Sequence, residues 1–376
     1  MALTKNPRAL LAGLPLALAL ILTGCANNEP AAAPPVEIVD ETPEPEEVVT
    51  EPDEVETEAP DPYGARWPLT GVGTDEVADR PAFIVKVGND PTGRRSQEGL
   101  EYADVIYEVV VEGGITRLIA VFQSELPPRV MPVRSGRPTD IPIITPYGGV
   151  FVYSGAQGPF IQAINAAGNQ SLTFDSGVGG SNLARADGRN DLHSVAAVPG
   201  PLLALANATR VSPPQGTMPF ARDAESSTAG TDGAPVSTLT ARMSNSQTSV
   251  FTWNASNGKF MRADSTQGSG QQLGAVNLIF IETFYGNTDV AGTSSVPNAN
   301  LSPVNSSGQG VPGCETSVCT GRAVFAADGK YIEGTWQKGG PADPFTFLDA
   351  DGQPVVFAPG NTFVQVVPTS GSWQLS

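Results

Sequence analysis

Val105-Ile-Tyr-Glu-Val-Val-Val111 and Thr116-Arg-Leu-Ile-Ala-Val-Phe122 are two β-branched, apolar runs separated by Glu112-Gly-Gly-Ile115. Runs of this length and composition read as strands, and paired glycines between them supply the positive φ of a tight hairpin turn. With Gly113 and Gly114 as that turn, Val110 faces Arg117, and strand alternation sets Glu108, Glu112 and Arg117 on one face of the sheet. Working outward, residues 83–87 form another strand-like run, ended by Gly88-Asn-Asp-Pro91, and Gly149-Val-Phe-Val-Tyr153 is a short buried strand. A Gly-rich loop, Ser154-Gly-Ala-Gln-Gly-Pro159, leads from it into a helix over 160–167 closed by Gly168, and residues 201–207 read as a second short helix.

The second half differs. Residues 250–253, 278–282, 322–326, 331–336, 346–348, 354–357 and 362–367 read as short strands, with Asp328-Gly329 and Asp351-Gly352 as hairpin turns. No helical pattern of length interrupts them, so a sandwich or partly closed barrel is expected. Residues 213–235 are rich in Pro, Gly, Ser, Thr and Ala, the composition of a connection between domains. The expected class is α+β, with a mixed α/β domain over 67–212, a linker over 213–238 and an all-β domain over 239–376.

The N-terminus carries a different message. Lys5 and Arg8 precede an apolar stretch from Leu10 to Leu22, and Leu22-Thr-Gly-Cys25 closes it. Basic start, short apolar core and small residues before a cut describe a signal peptide over 1–24. The Cys at this position resembles a bacterial lipobox, which makes Cys25 the expected lipidation site and the first residue of a mature, membrane-anchored chain. Of 39 acidic residues, thirteen fall between positions 26 and 62, where there is no Lys or Arg. Interleaved Pro and Ala and self-repelling charge give that stretch no apolar surface to bury, so residues 25–66 are expected to act as an extended stalk.

The formal charge of −18 is therefore concentrated in the stalk, and the folded part is only mildly acidic. No basic stripe is present to neutralise phosphates along a duplex, which argues against a nucleic-acid partner. With Cys25 assigned to lipid, Cys314 and Cys319 remain, and in an oxidising compartment they are expected to form a disulfide at the end of a long polar loop over 286–313. A zinc site would need ligands the chain lacks, since His193 is its single histidine. There is no Walker loop and no dinucleotide fingerprint, so neither metal nor cofactor is expected.

Two constellations carry candidate chemistry. The first is the hairpin with Asp104, Glu108, Glu112 and Arg117. The second is Pro132-Val-Arg-Ser-Gly-Arg-Pro138, where Arg134 and Arg137, held between prolines, suit bidentate capture of a carboxylate or phosphate. Ser154 lacks the first glycine of a nucleophile elbow, and His193 serves equally as a base or as a loop anchor.

Arg80-Pro-Ala-Phe-Ile-Val-Lys-Val-Gly-Asn89, Gly99-Leu-Glu-Tyr-Ala-Asp104, the hairpin, Pro132–Pro138, Phe251-Thr-Trp253, Gly334-Thr-Trp-Gln-Lys338 and Ala358-Pro-Gly-Asn-Thr-Phe-Val364 together resemble the YerB-like bacterial lipoproteins, over roughly residues 67–368. The resemblance implies paired N- and C-terminal domains of unknown function, the first with a layered β-β-α arrangement, displayed outside the cytoplasmic membrane. It implies no reaction. Around His193 the chain departs from the family's Arg-Pro-His-Asn-aromatic pattern, with Asp191-Leu192 before the His and Ser194-Val195 after it. Because Glu108, Glu112, Arg117, Arg134 and Arg137 coincide with the motifs of resemblance, they are expected to form one polar site, with Asp104, Ser154 and His193 as weaker members. The expected function is a lipid-anchored binding or assembly factor that recognises an anionic envelope polymer or an envelope protein. The alternative is an envelope hydrolase or transferase using Glu108 or Glu112 as acid/base.

Overall fold

Alternation along Val105–Val110 decides the architecture: every residue of this strand is buried, so apolar material must lie on both of its sides. On one side Ile106 and Val110 join Val85, Leu118, Phe251, Phe280 and Phe363, and on the other Tyr107 and Val109 join Ile84, Ile119, Ile143, Ile164 and Trp336. This computed structural model describes residues 64–376 except 187, 267, 269, 304–309 and 316, together with the side chains of 265 and 266. The expected signal peptide, Cys25 and nearly all of the expected stalk lie outside the described residues.

The strand sits at the centre of an 11-stranded sheet. On its N-terminal side follow Thr116–Phe122, Phe83–Gly88, Val150–Tyr153 and Gln170–Thr173, the last three mutually parallel. On its other side lie Thr362–Pro368, Asn277–Thr283, Cys319–Ala327, Lys330–Lys338 and the edge piece Ala234–Pro235, with Thr346–Asp349 also paired to Lys330–Lys338. Val105–Val110 and Thr362–Pro368 run parallel, with Glu108 opposite Gln365. Both halves of the chain thus complete one sheet, and all described residues fall within one compact unit. Thr362–Pro368 is buried at every position, as a parallel strand covered on two sides must be.

A five-stranded sheet holds Thr238–Arg242, Thr248–Asn254, Lys259–Thr266, Gln272–Ala275 and Ser372–Leu375. Its Leu239, Phe251 and Phe260 share a core with Leu278, Phe280 and Phe363 of the large sheet, and the rings of Phe251 and Phe363 lie 5.2 Å apart. Each such side chain removed from water contributes about 1.5–3 kcal/mol. The C-terminal half is accordingly spread over two open sheets, and no helix occurs among its described residues beyond 239.

Several boundaries move. Residues 213–238, where a linker is expected, hold the helix Thr228–Asp232, capped by Ser227, and the strand Ala234–Pro235. Residues 354–357 are not a strand: Pro354 has no N–H for a ladder, and only isolated bridges remain, Leu348 to Pro354 and Phe220 to Phe357. The helices run Gly158–Ala166 and Pro199–Leu203. Cys314 and Cys319 form the expected disulfide, with Cα atoms 3.9 Å apart.

The hairpin register requires a correction. Val110 pairs with Thr116, and Arg117 pairs with Val109. The chain turns through three residues, Glu112–Gly114, with Gly113 at φ 71° and Gly114 at φ 72°, and Val111 N donates to Ile115 O. One residue more in the turn than a two-residue loop flips the returning strand, so Glu108 and Arg117 lie on opposite faces.

Candidate functional site

Glu108 is fully buried on the face that meets the five-stranded sheet. Its Oε1 accepts from Asn89 Nδ2 at 2.9 Å and Thr116 Oγ1 at 2.6 Å, and its Oε2 accepts from Ser249 Oγ at 3.0 Å and Gln365 Nε2 at 2.9 Å. Arg262, also fully buried, places Nη2 3.1 Å from Oε2. Arg262 further donates to Asn89 Oδ1 and Ser249 Oγ. With both oxygens occupied and no solvent contact, this carboxylate ties the halves together and has nothing with which to meet a substrate proton. Asp104 is likewise structural: it accepts from the backbone of Gln123 and Ser124 and from the Ser124 hydroxyl, at the far end of the strand. Burial pushes its carboxyl upward against those hydrogen bonds.

The opposite face gathers the other candidates. Gly88 pairs with Arg117, and the absence of a side chain there makes room: a Cβ on Gly88 would lie 2.9 Å from Arg134 Cγ. The Pro132–Gly136 segment follows the strand Phe83–Gly88, with Arg134 N donating to Lys86 O and Ser154 N to Arg134 O. It therefore wedges between the strands Phe83–Gly88 and Val150–Tyr153 at their carboxyl ends, the region of a parallel sheet where ligands characteristically bind. Beneath it, buried Lys86 donates to buried Asp140. Burial draws the Lys86 ammonium down to about 8 in spite of that partner.

Arg117 Nη1 donates to Ser135 O at 2.8 Å, and Arg134 Nη1 to Leu192 O at 2.7 Å. Neither guanidinium forms an ion pair among the described residues. Burial, reinforced by the nearby positive charge of Arg137 and Arg134, lowers Arg117 to about 10. Burial likewise lowers Arg134. Arg137 is paired, with Nη2 2.7 Å and Nε 2.8 Å from Glu112 Oε1. Burial would raise the Glu112 carboxyl, but the hydrogen bond and charge of Arg137 hold it below the ordinary range, while its Oε2 stays buried without a partner. Ser135 Oγ lies 3.3 Å from Ser154 Oγ. His193 Nε2 lies 3.1 Å from Asp90 Oδ2, and its backbone N–H donates to Asp191 Oδ1.

The structure thus brings together Glu112, Arg117, Arg134 and Arg137, with Ser154 beside them and His193 adjoining through Asp90, and leaves Glu108 and Asp104 elsewhere. Asp90 escapes a reading of the sequence because Gly88-Asn-Asp-Pro91 signals only a turn. Its carboxylate caps the short helix Pro91–Arg94 and also faces His193. Arg262 escapes because Lys259–Thr266 is polar and reads as surface. Among the described residues no group of three or more metal-ligating side chains occurs, and no helix is long and apolar enough to cross a membrane.

A sheet completed jointly by two halves, with an arginine cluster at strand ends, defines a class of paired-domain proteins more readily than a reaction. Residues 69–212 match the family described as "Protein of unknown function (DUF3048) N-terminal domain" and residues 239–364 match its C-terminal domain; the chain belongs to this family. It is similar to "Putative lipoprotein YerB" of Bacillus subtilis (strain 168), 42% identical over 89 residues, which are 23% of this chain and 27% of that protein. That match spans about a quarter of the relative's length. The crystal structure of the YerB protein from Bacillus subtilis matches with a TM-score of 0.66 at 22% identity, covering 82% of this chain and 99% of that one, a likeness of fold.

Proposed function

We propose that the chain is a membrane-tethered, extracytoplasmic binding factor whose N-terminal half takes an anionic group of a cell-envelope ligand at Arg117, Arg134 and Arg137. One observation carries this reading: Arg117, buried, and Arg134, half-buried, spend their guanidinium groups on backbone carbonyls, Ser135 O and Leu192 O, and have no carboxylate at ion-pair distance among the described residues. Removing a guanidinium from water without an anion is costly, and positive potential concentrated in an otherwise acidic molecule attracts anions. Tethering rests on Cys25 and its preceding apolar run, and on the similarity to a protein described as a lipoprotein.

The test is cosedimentation of the full chain with isolated envelope fragments. Wild-type protein should bind and be released by inorganic phosphate more readily than by chloride at equal ionic strength, and Arg134→Gln should bind several-fold more weakly. Equal binding by the variant and the wild type would remove the arginine cluster from the function. Labelled palmitate should enter the wild type and not Cys25→Ala; equal labelling would remove the anchor.

A further inference from the structure

We infer that the group recognised here is the phosphate ester of a polyol rather than a bare anion, an inference that rests on the proposed anion site. The observation is Asp175. It follows the strand Gln170–Thr173, third of the parallel strands whose carboxyl ends form the site, and Asp175 N donates to Ser154 O at 3.0 Å. Its carboxylate is pressed against the Ser154-Gly155 loop, since a Cβ on Gly155 would lie 1.8 Å from Asp175 Oδ2. Gly155 O in turn accepts from Gly136 N, between Ser135 and Arg137. Backbone hydrogen bonds therefore join the segment that carries Asp175 to the Ser154-Gly155 loop, and that loop to the arginine segment.

The other carboxylates of the region are engaged: Asp90 by His193 and the helix it caps, Glu112 by Arg137, Asp140 by Lys86. Asp175 is exposed and has no hydrogen bond or ion pair from its side chain among the described residues. Toward a simple anion it would be repulsive and serve no purpose. Toward a ligand carrying an acidic head and neighbouring hydroxyls it is complementary, because an ionised carboxylate only accepts hydrogen bonds and hydroxyls donate them. The donors on the adjoining segments are two guanidinium groups without ion pairs and the hydroxyls of Ser135 and Ser154, more than the two oxygens of a carboxylate can use and suited to phosphate. Phosphate on the arginines with polyol hydroxyls on Asp175 satisfies both sets.

The sign of one substitution tests this. The full chain is reconstituted in phosphatidylcholine vesicles and titrated with inorganic phosphate and with glycerol 3-phosphate. Wild-type protein should prefer the ester by about fivefold or more, and Asp175→Asn should weaken the ester while tightening inorganic phosphate about twofold, as lost hydroxyl contacts and lost repulsion act in opposite directions. Arg134→Ala should weaken both. Phosphate binding that depends on Arg134 but shows no ester preference, or an Asp175→Asn variant that moves both probes the same way, overturns the ester and leaves the anion site standing. Absence of phosphate binding by the wild type overturns both. Replacing a third of the lipid with phosphatidylglycerol assigns the source: competition with glycerol 3-phosphate identifies a lipid headgroup, and undiminished binding a soluble ester, each in accord with the proposal.

Discussion

Arg262 on the five-stranded sheet and Glu108 on the large sheet meet with Nη2 and Oε2 3.1 Å apart, both side chains wholly withdrawn from solvent. One residue comes from each half of the chain, so the pair fastens the halves at the point where Val105–Val110 and Thr362–Pro368 join. Gln365, directly opposite Glu108 in that pairing, adds a hydrogen bond of 2.9 Å to the same carboxylate.

Glu108→Gln should therefore act on stability. Breaking a buried ion pair costs up to about 3–5 kcal/mol, and Asp264 Oδ1, 3.0 Å from Arg262 Nε, retains part of the compensation here. Urea unfolding should show a loss of up to this size in a single transition reported alike by tryptophan fluorescence and circular dichroism, with phosphate affinity near that of the wild type. A double variant, Glu108→Leu with Arg262→Met, should not recover the loss, because Asn89, Thr116, Ser249 and Gln365 would stay buried without the carboxylate to which they donate. A normally stable Glu108→Gln protein that fails to bind phosphate would instead place Glu108 in the site.

Much of the fold is legible in the sequence where burial on both sides leaves a mostly apolar run, as in 105–110, 277–283 and 362–368. Glycine turns mark the boundaries there, and the hairpin Asp328-Gly329 forms with both residues at positive φ. What cannot be read is register and partnership. A third residue in the Glu112–Gly114 turn reverses the facing of Arg117, and composition does not reveal it. Lys259–Thr266, Gln272–Ala275 and Ser372–Leu375 are strands held by neighbours rather than by their own apolar pattern, so long-range pairing had to supply them. The arginine segment is visible because prolines bracket it. Asp90 and Asp175 are not, since each gains its meaning only from a strand end brought close by the sheet.

Acid should loosen the molecule partly through the cluster. Asp90, though burial alone would raise it, is held below the usual carboxylate range by hydrogen bonds from Gly93 and His193, and Glu112 likewise by Arg137. A carboxyl depressed in the folded state contributes stability that is complete above its unfolded value, about 3.9 for Asp and 4.3 for Glu, and that disappears as pH falls through the lower folded value. Between pH 5 and 3 the wild type should thus lose more stability than Asp90→Asn or Glu112→Gln, measured by urea midpoints at each pH. Parallel curves would show that neither carboxylate is stabilised by its partners.

The bond between Cys314 and Cys319 closes a loop with a sequence separation of 5, ahead of the strand Cys319–Ala327. Closing so short a loop removes little freedom from the unfolded chain, about 2 kcal/mol by chain entropy. Cys314→Ser with Cys319→Ser should lower the unfolding free energy by no more than that, while the sheet still forms. Mass spectrometry after thiol labelling without reductant should find neither cysteine modified in the exported protein; labelling of both would show the bond is absent there.

Gly88 offers the most specific check on the arginine cluster. The residue stands opposite Arg117 in the sheet, on the face shared by Lys86, and its missing side chain is the space across which Arg134 lies. A methyl group placed there would approach Arg134 Cγ to 2.9 Å and Pro132 Cγ to 3.3 Å, both side-chain atoms, so the backbone need not move and the arginine must. Gly88→Ala should consequently displace Arg134 from its place over the strand, lowering phosphate affinity about tenfold, or about 1.4 kcal/mol. Overall stability should shift by about 1 kcal/mol or less, since alanine also lowers the entropy of the unfolded chain. If Gly88→Ala bound phosphate as the wild type does while Arg134→Ala did not, the anion would have to reach Arg134 from its outer side at Leu192 rather than over the strand.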